Sequence, residues 1–122
     1  MRVSAIILDD DRNVALALSD LLNSLFIDVV GRESDAQSAI KSFIRNEPDL
    51  VFADLSMSHS DGYFVLKTIR SLSSDAKIII VTGDVSLKTK KELETLGIKS
   101  IVYKPFSITD IQNAIKIELG ID

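Results

Sequence analysis

Leu50-Val51-Phe52-Ala53-Asp54 decides the fold. Four apolar residues in succession do not alternate wet and dry faces. They suit a strand covered on both sides, as in a parallel sheet, and the run ends abruptly on a carboxylate. Four other short runs, rich in β-branched residues, read the same way. Residues 3–8 lead into Asp9-Asp10-Asp11, residues 28–31 into Arg32, residues 77–81 into Thr82-Gly83, and residues 100–103 into Lys104-Pro105.

Between these runs the spacing changes from strand-like to helical. Val14, Leu18, Leu21, Leu22 and Leu25 share one face, and Ala36, Ala39, Ile40, Phe43 and Ile44 share another. Residues 64–72, 87–96 and 108–119 follow, the last with Ile108, Ile111, Ile115 and Leu119 on one stripe. Ser34 and either Ser107 or Thr109 are candidate N-caps, Gly97 ends a helix, and Pro48 stops the second helix from continuing. Strict alternation of strand and helix with short connections predicts an α/β fold. The expected form is a flavodoxin-like (βα)5 doubly wound parallel five-stranded sheet, order 2-1-3-4-5, forming one domain over residues 1–122.

Composition narrows the function classes. The chain has 122 residues, 46% of them apolar, enough for a core and too many for a disordered segment. A net charge of −4 offers no basic surface for nucleic acid, and the absence of cysteine excludes disulfides and thiolate metal sites. The first residues lack a signal-peptide apolar region and no run approaches a membrane span, so a cytoplasmic protein is expected, with neither nucleic-acid nor membrane contact.

The strand ends carry the chemistry. In an open parallel sheet ligands bind outside the carboxyl ends of the strands, near the point where strand order reverses. The order 2-1-3-4-5 brings Asp9, Asp10, Asp54, Thr82 and Lys104 to one crevice, while the second strand, ending in Gly31-Arg32, adds nothing evident. Crowded carboxylates repel unless a cation compensates, and an all-oxygen donor set suits Mg²⁺. Lys104 can pair with a phosphoryl oxygen, Thr82 can donate to another, Gly83 leaves room, and an Asp can serve as a covalent nucleophile. Each feature also has a purely structural reading. Asp9-Asp10-Asp11 can cap a helix, Asp54 can form an Asx-turn, and Lys104-Pro105 can be an ordinary turn. Their coincidence at four strand ends favours a site.

Taken together, residues 6–11, residues 48–57, Asp61-Gly62, residues 79–83 and Lys104-Pro105-Phe106 resemble the receiver domain of two-component response regulators over essentially the whole chain. The resemblance implies that Asp54 is the phosphoacceptor and modification site. It implies Mg²⁺ held by Asp10, by Asp9 through water, by Asp54 and by the Ser56 carbonyl. It implies that Thr82 and Lys104 hold phosphoryl oxygens and that the Lys104–Pro105 bond is cis. A histidine kinase or histidine phosphotransfer protein would be the donor. The fourth helix, fifth strand and fifth helix would form the face presented to an effector, an output domain or a second copy in a homodimer. Such a domain promotes its own phosphorylation and dephosphorylation and is not a turnover enzyme.

Several positions depart from the family pattern or stand outside it. Ser58 replaces a usual Pro, and Ile101 occupies a position usually aromatic, with Tyr103 facing the same side two residues on. Ser56 and Asp84 stand where receiver domains tune the lifetime of the acyl phosphate. His59 reads as a solvated loop residue and Asp61-Gly62 as a turn opening the third helix. Lys88, Lys90 and Lys91 read as a solvated face or a dock for an acidic partner, and Ile117 as an exposed contact. Two other readings stand beside this one. A pseudo-receiver would dock without switching. A haloacid-dehalogenase-like phosphatase would use Asp9-Asp10-Asp11, Thr82 and Lys104 but leave Asp54 without a role. A stand-alone receiver and a piece of a longer regulator or hybrid kinase fit the sequence equally.

Overall fold

The computed structural model describes residues 2–55, 59–83 and 86–121, apart from the side chains of His59 and Ser60. Strand and helix alternate as β1 (Ser4–Leu8), α1 (Arg12–Ser24), β2 (Asp28–Glu33), α2 (Ala36–Asn46), β3 (Leu50–Ala53), α3 (His59–Leu72), β4 (Ile78–Thr82), α4 (Leu87–Thr95), β5 (Ser100–Tyr103) and α5 (Ile108–Leu119). The strands form one parallel sheet in the order β2-β1-β3-β4-β5, the flavodoxin-like arrangement expected from sequence.

The three inner strands are buried at nearly every residue because helices cover both faces. Alternate residues therefore feed two cores. Ile7, Phe52, Ile79 and Val81 pack with Leu18 and Leu22 of α1 and Ile111 and Ile115 of α5. Ile6, Leu8, Val51, Ile78 and Ile80 pack with Ala39 of α2, Leu66 and Ile69 of α3, and Leu93 of α4. Each such aliphatic side chain contributes about 1.5–3 kcal/mol on burial, so the inner strands are the firm part of the molecule.

Register sets the site. Leu8 pairs with Ala53, so the residues that follow, Asp9 and Asp54, leave the sheet side by side. Thr82 pairs with Tyr103, and the Lys104 N–H donates to the Thr82 carbonyl at 2.9 Å.

Five details differ from the sequence reading. Strand β2 continues past Gly31-Arg32 to Glu33, as the edge strand follows β1 all the way to Leu8. The cap of α2 is Asp35, not Ser34; its carboxylate accepts from the Ser38 N–H at 2.9 Å, which holds Asp35 below the ordinary carboxylate range. Helix α3 begins at His59 rather than Phe64. Asp61-Gly62 is thus its first turn, where Asp61 complements the helix dipole. A Cβ on Gly62 would stand 3.1 Å from the Leu55 side chain and 3.7 Å from the Asp54 carbonyl, so this glycine permits close approach rather than a turn. On α2, Ile44 is exposed and Ser42 takes the inner position, tight against Gly31 of β2. On α5, Ile108 in the first turn is exposed, and Ile111, Ala114 and Ile115 carry the packing. Ser107 caps α5 through a reciprocal capping box with Asp110, and Ile117 is exposed as its place on the helix implies.

Candidate functional site

Each side chain of the crevice is fixed from the backbone outward. The Asp9 N–H donates to the Glu33 carbonyl at 3.0 Å, and the Asp54 N–H donates to the Leu8 carbonyl at 2.9 Å. Strand β2 therefore contributes to the site after all, through the backbone of Glu33 that holds Asp9. The Asp9 carboxylate accepts from the Asp11 N–H at 2.8 Å, and Asp11 caps α1 by accepting from Asn13 and Val14. The acidic triplet is thus both cap and site, divided by residue: Asp11 serves the helix, and Asp9 and Asp10 face the crevice.

Carboxylate oxygens of Asp9, Asp10 and Asp54 all lie within 4.8 Å of one another. Lys104 Nζ bridges two of them, 3.0 Å from Asp54 Oδ2 and 3.3 Å from Asp9 Oδ2. Asp9 and Asp54 are buried and Asp10 is exposed, so the cluster has one open side. Burial pushes Asp9 up to about 6; the Asp11 N–H opposes that, while the neighbouring Asp54 adds to it and Lys104 pulls the other way. Burial alone would lower the Lys104 ammonium, but Asp54 and then Asp9 outweigh it and hold Lys104 above its ordinary range.

Three carboxylates against one ammonium leave two negative charges, the deficit a divalent cation fills. The donors are all oxygen, which suits a hard ion such as Mg²⁺ and none of the soft metals. The set therefore fits the expected ion. Beside it, Asp9 and Asp10 open on a cleft of about 490 Å³ whose far wall is Arg32, Glu33 and Ser34.

Thr82, at the end of β4, is fully buried, next to the exposed Gly83. The Lys104–Pro105 bond is cis, as the resemblance implied. Ser56, Ser58, Asp84 and the side chain of His59 lie outside the described residues. Two supports were missed from sequence: the Glu33 carbonyl and the close approach of Gly62. No side-chain signal marks a carbonyl. Gly62, however, could have been found as a glycine inside a helical pattern, where it usually marks packing.

The pattern of the response regulator receiver domain matches residues 5–116. The chain belongs to this family. It is 30% identical over 105 residues to the protein-glutamate methylesterase/protein-glutamine glutaminase 3 of Geobacter sulfurreducens, matching 85% of this chain but only 28% of that protein. It is 26% identical over 115 residues to the chemotaxis protein CheY of Bacillus subtilis, matching 94% of this chain and 96% of CheY. The chain thus spans under a third of one relative and nearly all of another. A crystal structure of the CheX–CheY–BeF3–Mg complex from Borrelia burgdorferi has the same fold. It matches with a TM-score of 0.89 at 18% identity, over 96% of this chain and 89% of that one.

As a receiver domain of two-component response regulators, the chain is a signalling domain of a family that binds Mg²⁺ at an acidic pocket. Such domains work with histidine kinases or phosphotransfer proteins and with output domains. The phosphatase reading gains nothing from these matches, and Asp54, idle under it, sits at the centre of the cluster. No helix among the described residues is long and apolar enough to cross a membrane.

Proposed function

We infer that the chain is one receiver domain over residues 1–122, acting in the cytoplasm, and that Asp54 accepts the phosphoryl group. The observation that carries this reading is the Lys104 bridge. An ammonium 3.0 Å from Asp54 and 3.3 Å from Asp9 stands where a phosphoryl oxygen on Asp54 would need a counter-charge.

Asp9, Asp10 and Asp54 are the residues that would hold Mg²⁺, joined, as the resemblance implies, by the carbonyl of Ser56. Bound there, the ion supplies charge neutralisation for the incoming phosphoryl oxygens. Asp54 attacks phosphorus with a carboxylate oxygen; the donor's P–N bond breaks, an O–P bond forms, and the imidazole departs with the bonding pair. Lys104 transfers its contact from the carboxylate to a phosphoryl oxygen, and the Thr82 hydroxyl donates to another. The buried setting of Asp54 and Thr82 strengthens both contacts. The domain turns over no external substrate in this scheme: it forms and loses its own acyl phosphate.

The donor is a histidine kinase or histidine phosphotransfer protein. The readout is the face made by α4, β5 and α5, where Leu87, Tyr103, Ile108 and Ile117 are exposed beside Lys88, Lys90 and Lys91. Apolar residues ringed by lysines suit an acidic effector or output domain, or a second copy of the chain. Incubation with acetyl phosphate and Mg²⁺, followed by intact-mass and peptide analysis, is expected to give one hydroxylamine-labile adduct on Asp54. An unmodified mass, or an equal adduct on Asp54→Asn, would overturn the assignment.

A further inference from the structure

Helix α4 is held unevenly along its length. Its one fully buried apolar side chain, Leu93, lies in the C-terminal half, and Leu96 beyond it packs partly against the same core. In the N-terminal half Thr89 is buried, but Leu87 is 74% exposed and Lys88, Lys90 and Lys91 all face solvent.

The C-terminal end has a second anchor. Arg70 of α3 donates from Nε to the Leu96 carbonyl at 2.9 Å and from Nη1 to the carbonyls of Ser74 at 3.0 Å and Ala76 at 2.8 Å. One planar guanidinium thereby ties the end of α4 to the end of α3 and to the turn entering β4. Lysine, with a point charge, could not reproduce this fork. The Gly97 N–H returns to Glu94 and the Ile98 N–H to Leu93, with Gly97 at φ +70°, so the end of the helix is closed by its own backbone as well.

The other end meets the site. Thr82 closes β4 four positions before Ser86, the cap of α4. Thr82 also pairs across the sheet with Tyr103, whose ring lies 6.0 Å from Lys90 Nζ. A cation–π contact at a surface is weak, and it is easily exchanged for water.

We propose that Arg70 is the pivot of α4: a charge placed on Asp54 swings the N-terminal half of the helix, with its lysines and Leu87, about a C-terminal end that Arg70 holds still. This rests on the phosphoacceptor reading above and adds how that site reaches its partner surface. Arg70 is a positioning residue; it touches none of the site side chains. A helix pinned at one end converts a small displacement at Thr82 into rotation of the basic face. The buried half then keeps its packing, so the motion requires no repacking of Leu93.

The experiment is backbone amide NMR on the full chain, first alone and then with Mg²⁺ and beryllofluoride as the phosphoryl mimic. Wild type is expected to show shifts at residues 87–91 that diminish toward residues 93–96. Arg70→Gln should let the shifts run evenly through residue 98. In the protein without mimic, it should also raise amide exchange at Leu96, Gly97 and Ile98 about tenfold, the loss of roughly one hydrogen bond. Should Arg70→Gln fold poorly, Arg70→Lys serves the same comparison. Even shifts along α4 in wild type, or an Arg70 variant with the wild-type gradient, would overturn the pivot. Silence at Asp54 and Thr82 would instead refute the phosphoacceptor reading. In that case exchange at residues 96–98 still judges the pivot, and an unchanged rate in the Arg70 variant overturns it.

Discussion

Helices α1 and α4 both begin beside the acidic crevice, one after β1 and one after β4, yet they are held very differently. Helix α1 is capped by Asp11, buries Ala15, Leu18, Ser19 and Leu22, and so carries anchors from its first full turn to its last. Helix α4 buries only Thr89 and Leu93 and leaves its first turn largely in solvent. The difference teaches where a signal can go. On the reading proposed above, charge added at Asp54 meets a rigid wall on the α1 side, where Asp9 and Asp10 would keep their places to hold a cation. It meets a yielding wall on the α4 side, where Thr82 connects to a lightly held helix.

The comparison can be broken at several points. Removing the bridging ammonium with Lys104→Met should have the largest effect. Loss of one preorganised charge contact is expected to slow phosphorylation by acetyl phosphate roughly a hundredfold, read by intact mass against time. A rate within a factor of about two of wild type would show that the bridge is structural only.

Truncation in the two helices sharpens the contrast. Leu22→Ala in α1 is expected to cost about 4 kcal/mol in urea unfolding, near the upper end for buried leucine. Leu93→Ala in α4 should cost nearer 2–3 kcal/mol, because a helix with few other anchors can settle into the space. Equal costs would mean that α4 is packed as firmly as α1.

The acidic side can be tested by pH. The folded state raises Asp9 from 3.8 to about 6, so it favours the protonated form. The stability this contributes is fully present below pH 3.8 and is lost as pH rises through about 6, amounting to at most about 3 kcal/mol. The metal-free protein should therefore be more stable at pH 5 than at pH 7, and Mg²⁺ should restore stability at pH 7. Apparent Mg²⁺ affinity should fall as pH drops below about 6, where the proton competes. Thermal melts across this range with and without Mg²⁺ check both signs; a metal-free melt flat from pH 5 to 7 would contradict the account. The smallest effect belongs to Lys90→Gln, which should cost no more than about 1 kcal/mol and leave phosphorylation at Asp54 unchanged.

Much of this was legible in the sequence, for physical reasons. The strands β1, β3 and β4 announced themselves because burial on both faces leaves them almost wholly apolar, and the half-buried edge strand β5 through its β-branched Ile101-Val102; their polar terminators then pointed to the crevice. Strand β2 was cut short because an edge strand half in solvent, ending Gly31-Arg32-Glu33, has no such apolar run. The start of α3 was missed because its first turn, including Asp61 and Gly62, carries turn-forming residues that tertiary packing against Leu55 overrides. The asymmetry of α4 was hidden for another reason. It depends on Arg70 reaching the Leu96 carbonyl, 26 residues away in sequence, and a carbonyl leaves no trace in the side-chain pattern.

The central claim is that charge on Asp54 is felt along α4 and not along α1. Amide spectra recorded with and without Mg²⁺ and beryllofluoride test it directly. The account expects shifts at Asp54, Thr82, Lys104 and residues 87–91, with Leu18 and Leu22 of α1 unmoved. A spectrum in which the pocket stays silent, or in which α1 shifts as much as α4, would contradict it.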